Sequence, residues 1–185
     1  MVTGSRVKIG YQTCLKLLRA GCTVIATSRF PNAACLNYTK EEDFEDFRSR
    51  LHVYGLDLRD VAGVEAFTAF IKLDYKRVDI LINNAGYFYE PVEKIEGSTL
   101  NFAEEMKMID ICAVGPLRVT NAFYNANLLK PNKSVIAMIT SQGGSIDWRT
   151  TQNPEGGDYG HHMSKAAANM MGVLVAQEMK KVRMG

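Results

Sequence analysis

The chain has 185 residues, 46% hydrophobic and 23% charged, enough for one domain with a substantial core and too little for two comfortable ones. Its 22 Lys and Arg against 20 Asp and Glu leave a formal charge of +2, which offers no broad electrostatic footprint for nucleic acid or an anionic membrane. No apolar run is long enough to cross a bilayer, and the N-terminal MVTGSRVKIGYQ lacks the basic, apolar, small-residue order of a secretory signal, so a cytoplasmic location is the default expectation.

In chain order, the first feature is Val2-Thr3-Gly4-Ser5-Arg6-Val7-Lys8-Ile9-Gly10, then a helical stretch from Tyr11 to Ala20, Gly21, and the apolar run Thr23 to Ser28. This reads as strand, glycine turn, helix, strand. Further strands are expected at Leu51 to Gly55, Asp79 to Asn83 and Ser134 to Thr140, all continuous and apolar as strands buried on both faces should be. Between them, Phe44, Phe47 and Leu51 have helical spacing, as do Val61, Val64, Phe67, Phe70 and Ile71, and both sets predict amphipathic helices. The acidic run Glu41 to Asp46 is read as the solvated face of the first. A long helix is expected from about Ser98, its N-cap, to Leu129, bent at Gly115-Pro116. The last helix should begin near Asp158 to Gly160, after the Pro/Gly-rich loop Thr150 to Gly157, and continue to about Lys181. This alternation predicts an α/β fold, a doubly wound parallel sheet with helices on both faces, in one domain over residues 1–185.

Cys14, Cys22, Cys35 and Cys112 show no metal or disulfide spacing and are read as ordinary buried thiols. The acceptor patterns Asn37-Tyr38-Thr39 and Asn132-Lys133-Ser134 have no function without an export signal. No metal site is expected, because adjacent helical residues such as His161 and His162 diverge and lack a third ligand.

The glycine turn is the first candidate for chemistry. Gly4 and Gly10 let backbone come close to a pyrophosphate, and the following helix N-terminus offers free N–H groups and positive potential. Further blocks follow at intervals: Asp57-Leu58 after the third strand, Asn83-Asn84-Ala85-Gly86 closing the fourth, Ser141 after the fifth, and Ser164-Lys165 in the last helix. In this order and spacing the chain resembles the short-chain dehydrogenase/reductase family along nearly its whole length. Thr3, Gly4 and Gly10 match the family's T-G-x-x-x-G-x-G, residues 83–86 its N-N-A-G, Ser141 its serine and Lys165 its lysine.

The resemblance implies NAD(P) along the C-terminal edge of a Rossmann sheet, with Ile9 and Gly10 at the phosphate-binding helix, Asp57 and Leu58 near the adenine, and Asn84, Ala85 and Gly86 along the adenosine-side ribose. Cofactor choice has a physical argument: the second strand ends in Thr27-Ser28-Arg29, with no carboxylate for a 2′-hydroxyl and an arginine able to pair with a 2′-phosphate. NADP is therefore favoured over NAD. Arg6 and Lys8 add positive charge to the turn, with solvated surface residues as the alternative reading.

Three family positions are altered: Lys8 stands in place of the turn's middle glycine, Cys112 in place of an asparagine that holds a relay water, and His161 in place of the acid/base tyrosine four residues before Lys165. An imidazole starts near pKa 6.5, and nearby positive charge lowers it further, leaving a weak acid that still serves as a base. Tyr159, six residues before Lys165, is the alternative proton donor, on a different helical face or before the helix starts.

The expected function is hydride transfer between NADP(H) and a small carbonyl compound or secondary alcohol. Ser141 would orient the substrate oxygen, Lys165 would hold the nicotinamide ribose, and His161 would occupy the acid/base position. The alternative is a catalytically impaired NADP(H)-binding protein acting as a sensor or interaction subunit. The family resemblance also implies homo-oligomers through two long helices, which gives Ala166 to Ala176 a partner-facing or sheet-packing role. Similar proteins continue through two more strands and a substrate-covering segment, so the chain is read as partial, with the fifth strand an exposed edge and a purified 185-residue chain of low stability.

Overall fold

The computed structural model describes residues 1–97, 99–152 and 155–182. Five strands, β1 (Val2–Thr3), β2 (Val24–Ser28), β3 (Leu51–Gly55), β4 (Ile80–Asn83) and β5 (Val135–Met138), form one parallel sheet in the order β3-β2-β1-β4-β5. Its register runs from Val24 opposite Leu51 to Ser28 opposite Gly55, and from Ile80 opposite Val135 to Asn83 opposite Met138. All four strands expected from apolar runs form, and β5 is an edge strand among the described residues. The described residues fall into two compact units, Met1–Ala85 with Thr120–Ile139, and Gly86–Val119 with the chain from Thr140 onward.

The first unit holds the sheet and covers both faces. On one face, helix α1 (Lys8–Arg19) sets Cys14, Leu15 and Leu18 against Val2, Val24 and Ala26, joined by Tyr38 and Phe47. Strand periodicity sends neighbouring side chains the other way. Thus Leu51 and Val53 pack with that cluster, whereas His52 meets Tyr75 and Tyr54 meets Phe67 and Phe70. Phe67 belongs to α4 (Val61–Asp74), capped by the Asp60 side chain, which accepts the Gly63 N–H at 2.9 Å. Helices on both faces of a parallel sheet make this a Rossmann-type doubly wound fold.

Two helical expectations change here. The spacing of Phe44, Phe47 and Leu51 corresponds to a single helical turn, α3 (Phe44–Phe47), then a 3-10 turn at Arg48–Arg50, and Leu51 already begins β3. Pairing with β2 overrides the helical period. A helix with no apolar stripe, α2 (Pro31–Tyr38), instead precedes it, started by Pro31 in its first turn. The acidic run is an anchor rather than a solvated face alone: Arg19 of α1 grips Glu41 at 2.9 Å and Asp43 at 2.6 Å.

In the second unit, α5 (Phe102–Ile109) starts later than expected, capped by Asn101, whose side chain accepts the Glu104 N–H at 3.2 Å. Ser98, the expected cap, lies outside the described residues. The expected bend is a single π-turn, Asp110–Val114, leading into α6 (Gly115–Asn125), where Pro116 has no N–H to give. The helix ends at Asn125 rather than Leu129, because Asn127 turns left-handed at φ +60°. Part of the expected loop Thr150 to Gly157 belongs to α7 (Ile146–Gln152), and residues 153 and 154 lie outside the description. Helix α8 (Tyr159–Val182) begins where expected. Cys14 and Cys112 are buried and Cys22 half-buried, but Cys35 is exposed on α2, so the buried-thiol reading fails there. Among the described residues, no helix is long and apolar enough to cross a membrane.

Candidate active site

The glycine loop of the first unit has four consecutive carbonyls taken by side chains. Asn84 Nδ2 donates to Thr3 O at 2.9 Å and Gly4 O at 3.1 Å, Tyr38 OH to Ser5 O at 2.8 Å, and Asn37 Nδ2 to Arg6 O at 3.0 Å. In return, Thr3 Oγ1 accepts the Asn84 and Ala85 amides at 3.0 Å each. Gly4, at φ +67°, lies against Ala85, and a Cβ on Gly10 would collide with Gly4 O and Asn84 Nδ2. With its carbonyls satisfied, the loop's remaining polarity is N–H. Helix α1 starts with no side-chain cap and no acidic residue in its first turn, so its N-terminal amides and dipole favour an anion.

Positive side chains flank this turn. Arg6 and Arg29 both stack on the exposed Phe30 ring, with guanidinium carbons 5.6 and 5.8 Å from its centroid. Beside Phe30 and Arg29 lies a cavity of about 470 Å³, also lined by Asp57 and Arg59. Arg59, 2.8 Å from Asp57, holds the Asp57 carboxyl below its usual range. Leu58 is buried and does not line this cavity. Lys8 and Ile9 are exposed at the start of α1, and Lys8 adopts φ +54°, a conformation that favours glycine.

In the second unit, Ser141 opens a 3-10 turn, Gln142–Gly144, and its Oγ accepts the Gly143 N–H at 3.0 Å. That bond uses a lone pair and leaves the hydroxyl proton for another oxygen. The turn lies on α8. A Cβ on Gly144 would sit 2.6 Å from the Lys165 carbonyl carbon, and one on Gly143 would sit 3.4 Å from His161 Nε2. His162 Nδ1–H donates to Gly143 O at 2.8 Å, and Thr140 Oγ1 donates to Asn169 Oδ1 at 2.6 Å. The turn that Ser141 opens therefore lies against the stretch of α8 that carries His161 and Lys165.

His161 is half-buried, its ring edge-on to Phe88 at 5.1 Å and 5.3 Å from the His162 ring. Burial, then the charges of His162 and Lys165, push its pKa below the ordinary value, so burial rather than Lys165 leads the effect. Tyr159 is the first residue of α8. Cys112, on the π-turn, is buried and accepts the Tyr87 N–H at 3.4 Å while its thiol lies 3.5 Å from Tyr87 O. Below the start of α8, Gly160 packs on Glu105 of α5. Glu105 and Glu93 are both buried, and Glu105 Oε1 has no hydrogen-bond partner among the described residues. Burial, then Glu93, raises the Glu105 pKa.

The family model described as short chain dehydrogenase matches residues 1–184. The chain belongs to the short-chain dehydrogenase family. It is 38% identical over 89 residues to a (+)-neomenthol dehydrogenase of Capsicum annuum, a match covering 46% of this chain and 28% of that protein. The matched stretch spans about a quarter of the length of this relative and of a mimivirus protein 36% identical over 120 residues. A putative family member from Burkholderia multivorans with bound NADP superposes with a TM-score of 0.79 at 22% identity, covering 97% of this chain and 72% of that one. The carbonyl reductase Sniffer of Drosophila melanogaster gives 0.78 at 22%, covering 98% and 75%. These structural matches support the fold.

Several residues that shape this candidate site carry no local sequence signal. Asn37 and Tyr38 reach the glycine loop from more than thirty residues away. Phe30 becomes meaningful only once Arg6 and Arg29 meet on it. His162, Asn169 and Thr140 secure the serine turn, for which the Gly143-Gly144 pair was the available hint.

Proposed function

We propose that this chain binds NADP(H) and, as a short-chain dehydrogenase-type oxidoreductase, serves hydride transfer between that cofactor and a small carbonyl compound or secondary alcohol. The observation that carries the reading is the glycine loop, whose carbonyls are all engaged and whose amides begin an uncapped helix. These residues fit a pyrophosphate. Arg6 and Arg29 on Phe30 fit a 2′-phosphate, which supports NADP over NAD. In this reading Asp57 and the Asn84–Gly86 stretch serve the adenosine side.

When bound, the nicotinamide supplies or accepts the hydride. Ser141 donates its remaining hydroxyl proton to the substrate oxygen. His161, neutral at pH 7 because burial lowers its pKa, takes the alcohol proton in oxidation. Lys165 holds the ribose, the role the family resemblance gives it. Cys112 favours a second reading, a cofactor-binding sensor without turnover, because its thiol is committed to Tyr87 and cannot hold a relay water as an amide would.

NADPH titration by fluorescence and turnover with a carbonyl and alcohol panel test both readings. The oxidoreductase reading predicts alcohol oxidation that rises through the His161 pKa and is flat above about pH 6.5, unlike a phenolic base. Cofactor binding without turnover, with activity gained in His161→Tyr, selects the sensor. Absence of NADP(H) binding overturns both. The exposed Met170, Val173 and Leu174 of α8 and Phe102 and Met106 of α5 support a homo-oligomer, which light scattering reads directly.

A further inference from the structure

At the N-terminal ends of β4 and β5, within the first unit, lies a second concentration of charge with no part in the reading above. A cavity of about 340 Å³ there is lined by Lys76, Arg77, Lys130, Pro131 and Lys133. Among the described residues, none that lines it is acidic. Arg77 is held at the rim by Asp79, with N–O distances of 2.7 and 2.6 Å. None of the ion pairs among the described residues involves Lys76, Lys130 or Lys133. Four cations and one carboxylate leave +3 at this spot, against +2 for the whole chain.

Like charges repel, and exposed lysines on flexible loops would splay apart. Here the two loops are tied together. Val78 N–H donates to Leu128 O at 2.8 Å, and Val135 N–H to Asp79 O at 2.8 Å. Ser134 is the hub: its Oγ donates to Val78 O at 2.7 Å and accepts the Lys130 N–H at 2.9 Å, while its own N–H donates to Lys130 O at 2.9 Å. Asn132, at φ +59°, turns the loop sharply between Pro131 and Lys133. The backbone beneath Lys130 and Lys133 is thus fixed relative to that beneath Lys76 and Arg77. Ammonium groups are donors without acceptors, so the matching ligand is a compact acceptor with several negative charges.

We propose that this cavity binds a compact oligophosphate group, on the sheet edge opposite the glycine loop and independently of it. The group comes either as a free inorganic chain or as part of a phosphorylated small molecule. Isothermal titration of the whole chain with inorganic tripolyphosphate, and separately with ATP, tests this in wild type, Lys130→Gln/Lys133→Gln and Arg6→Gln/Arg29→Gln, all checked by circular dichroism. The lysine variant should lose about tenfold affinity per lysine, the worth of one charge-assisted hydrogen bond. The arginine variant should keep one saturable tripolyphosphate site. Tighter binding of ATP than of tripolyphosphate that the lysine changes weaken assigns the organic source; ATP binding that is equal, weaker or indifferent to the lysine changes assigns the inorganic one. No saturable binding, binding matched by sulfate at equal ionic strength, or binding that the arginine variant loses and the lysine variant keeps overturns the proposal.

Discussion

Each unit contains a tight, glycine-bearing turn, and the two turns are held by different means. The loop of the first unit is positioned from outside: Asn84, Tyr38 and Asn37, from the end of β4 and from α2, take its carbonyls one after another. The serine turn of the second unit begins with its own cap, Ser141 Oγ accepting the Gly143 N–H, and is held on α8 by His162 at Gly143 O and by the close approach of its two glycines. The externally braced loop presents backbone amides, suited to a ligand that is all acceptor. The self-capped turn presents side chains, suited to proton movement at one oxygen.

The sharpest way to break this comparison is a pair of Gly→Ala changes. Gly10→Ala puts a methyl group into Gly4 O and Asn84 Nδ2, neither of which can retreat without releasing the loop. A loss of about 2–3 kcal/mol of stability in urea unfolding and of measurable NADPH affinity is expected. Gly144→Ala instead presses on the Lys165 backbone. In the proposed reading it should lower kcat through Ser141 and weaken NADPH binding through Lys165 by clearly less than Gly10→Ala does. Equal loss of NADPH affinity in both variants would erase the distinction.

A smaller effect concerns the floor beneath α8. The Glu105 pKa is raised in the folded state, so the folded chain binds that proton more tightly than the unfolded chain. The associated stability is complete at acid pH and is lost as pH rises through the folded value. Glu105→Gln, which has no proton to lose, should match wild type near pH 4 and be more stable by about 1 kcal/mol at pH 8. Thermal melts across that range read the crossover.

The smallest expected effect sharpens the account of the glycine loop. Lys8 holds a left-handed backbone that costs a non-glycine residue about 1 kcal/mol. Lys8→Gly should recover that stability while removing a positive charge from the first turn of α1. A higher melting temperature with weaker NADPH binding would show that the side chain serves the ligand; unchanged affinity would make Lys8 a solvated surface residue.

The sheet was legible because the strands of a parallel sheet covered by helices read as short apolar runs, although of those runs only β2 is buried throughout, while β3 is half-buried along Leu51 to Tyr54 and exposed at Gly55. Helix α2 was illegible for the complementary reason: only Ala34 and Tyr38 of its eight residues are buried, so no stripe marks it, and Pro31 was its sole signal. The motif residues Thr3, Gly4, Gly10 and Asn84 announced themselves because backbone chemistry demands specific residue types. Asn37 and Tyr38 did not, because a hydrogen bond to a distant carbonyl leaves no pattern along the chain. The departure at Lys8 was visible as a missing glycine, and its φ shows why glycine is the easier occupant.

The double donation by Asn84 has a further implication for chemical ageing. Conversion of this amide to the isosteric acid changes no volume, yet it exchanges a donor for an oxygen aimed at Thr3 O and Gly4 O. Three oxygens would then face one another with no hydrogen between them. A one-dalton mass increase at position 84 would therefore accompany release of the glycine loop in stored protein, although the shape of the side chain had not altered at all.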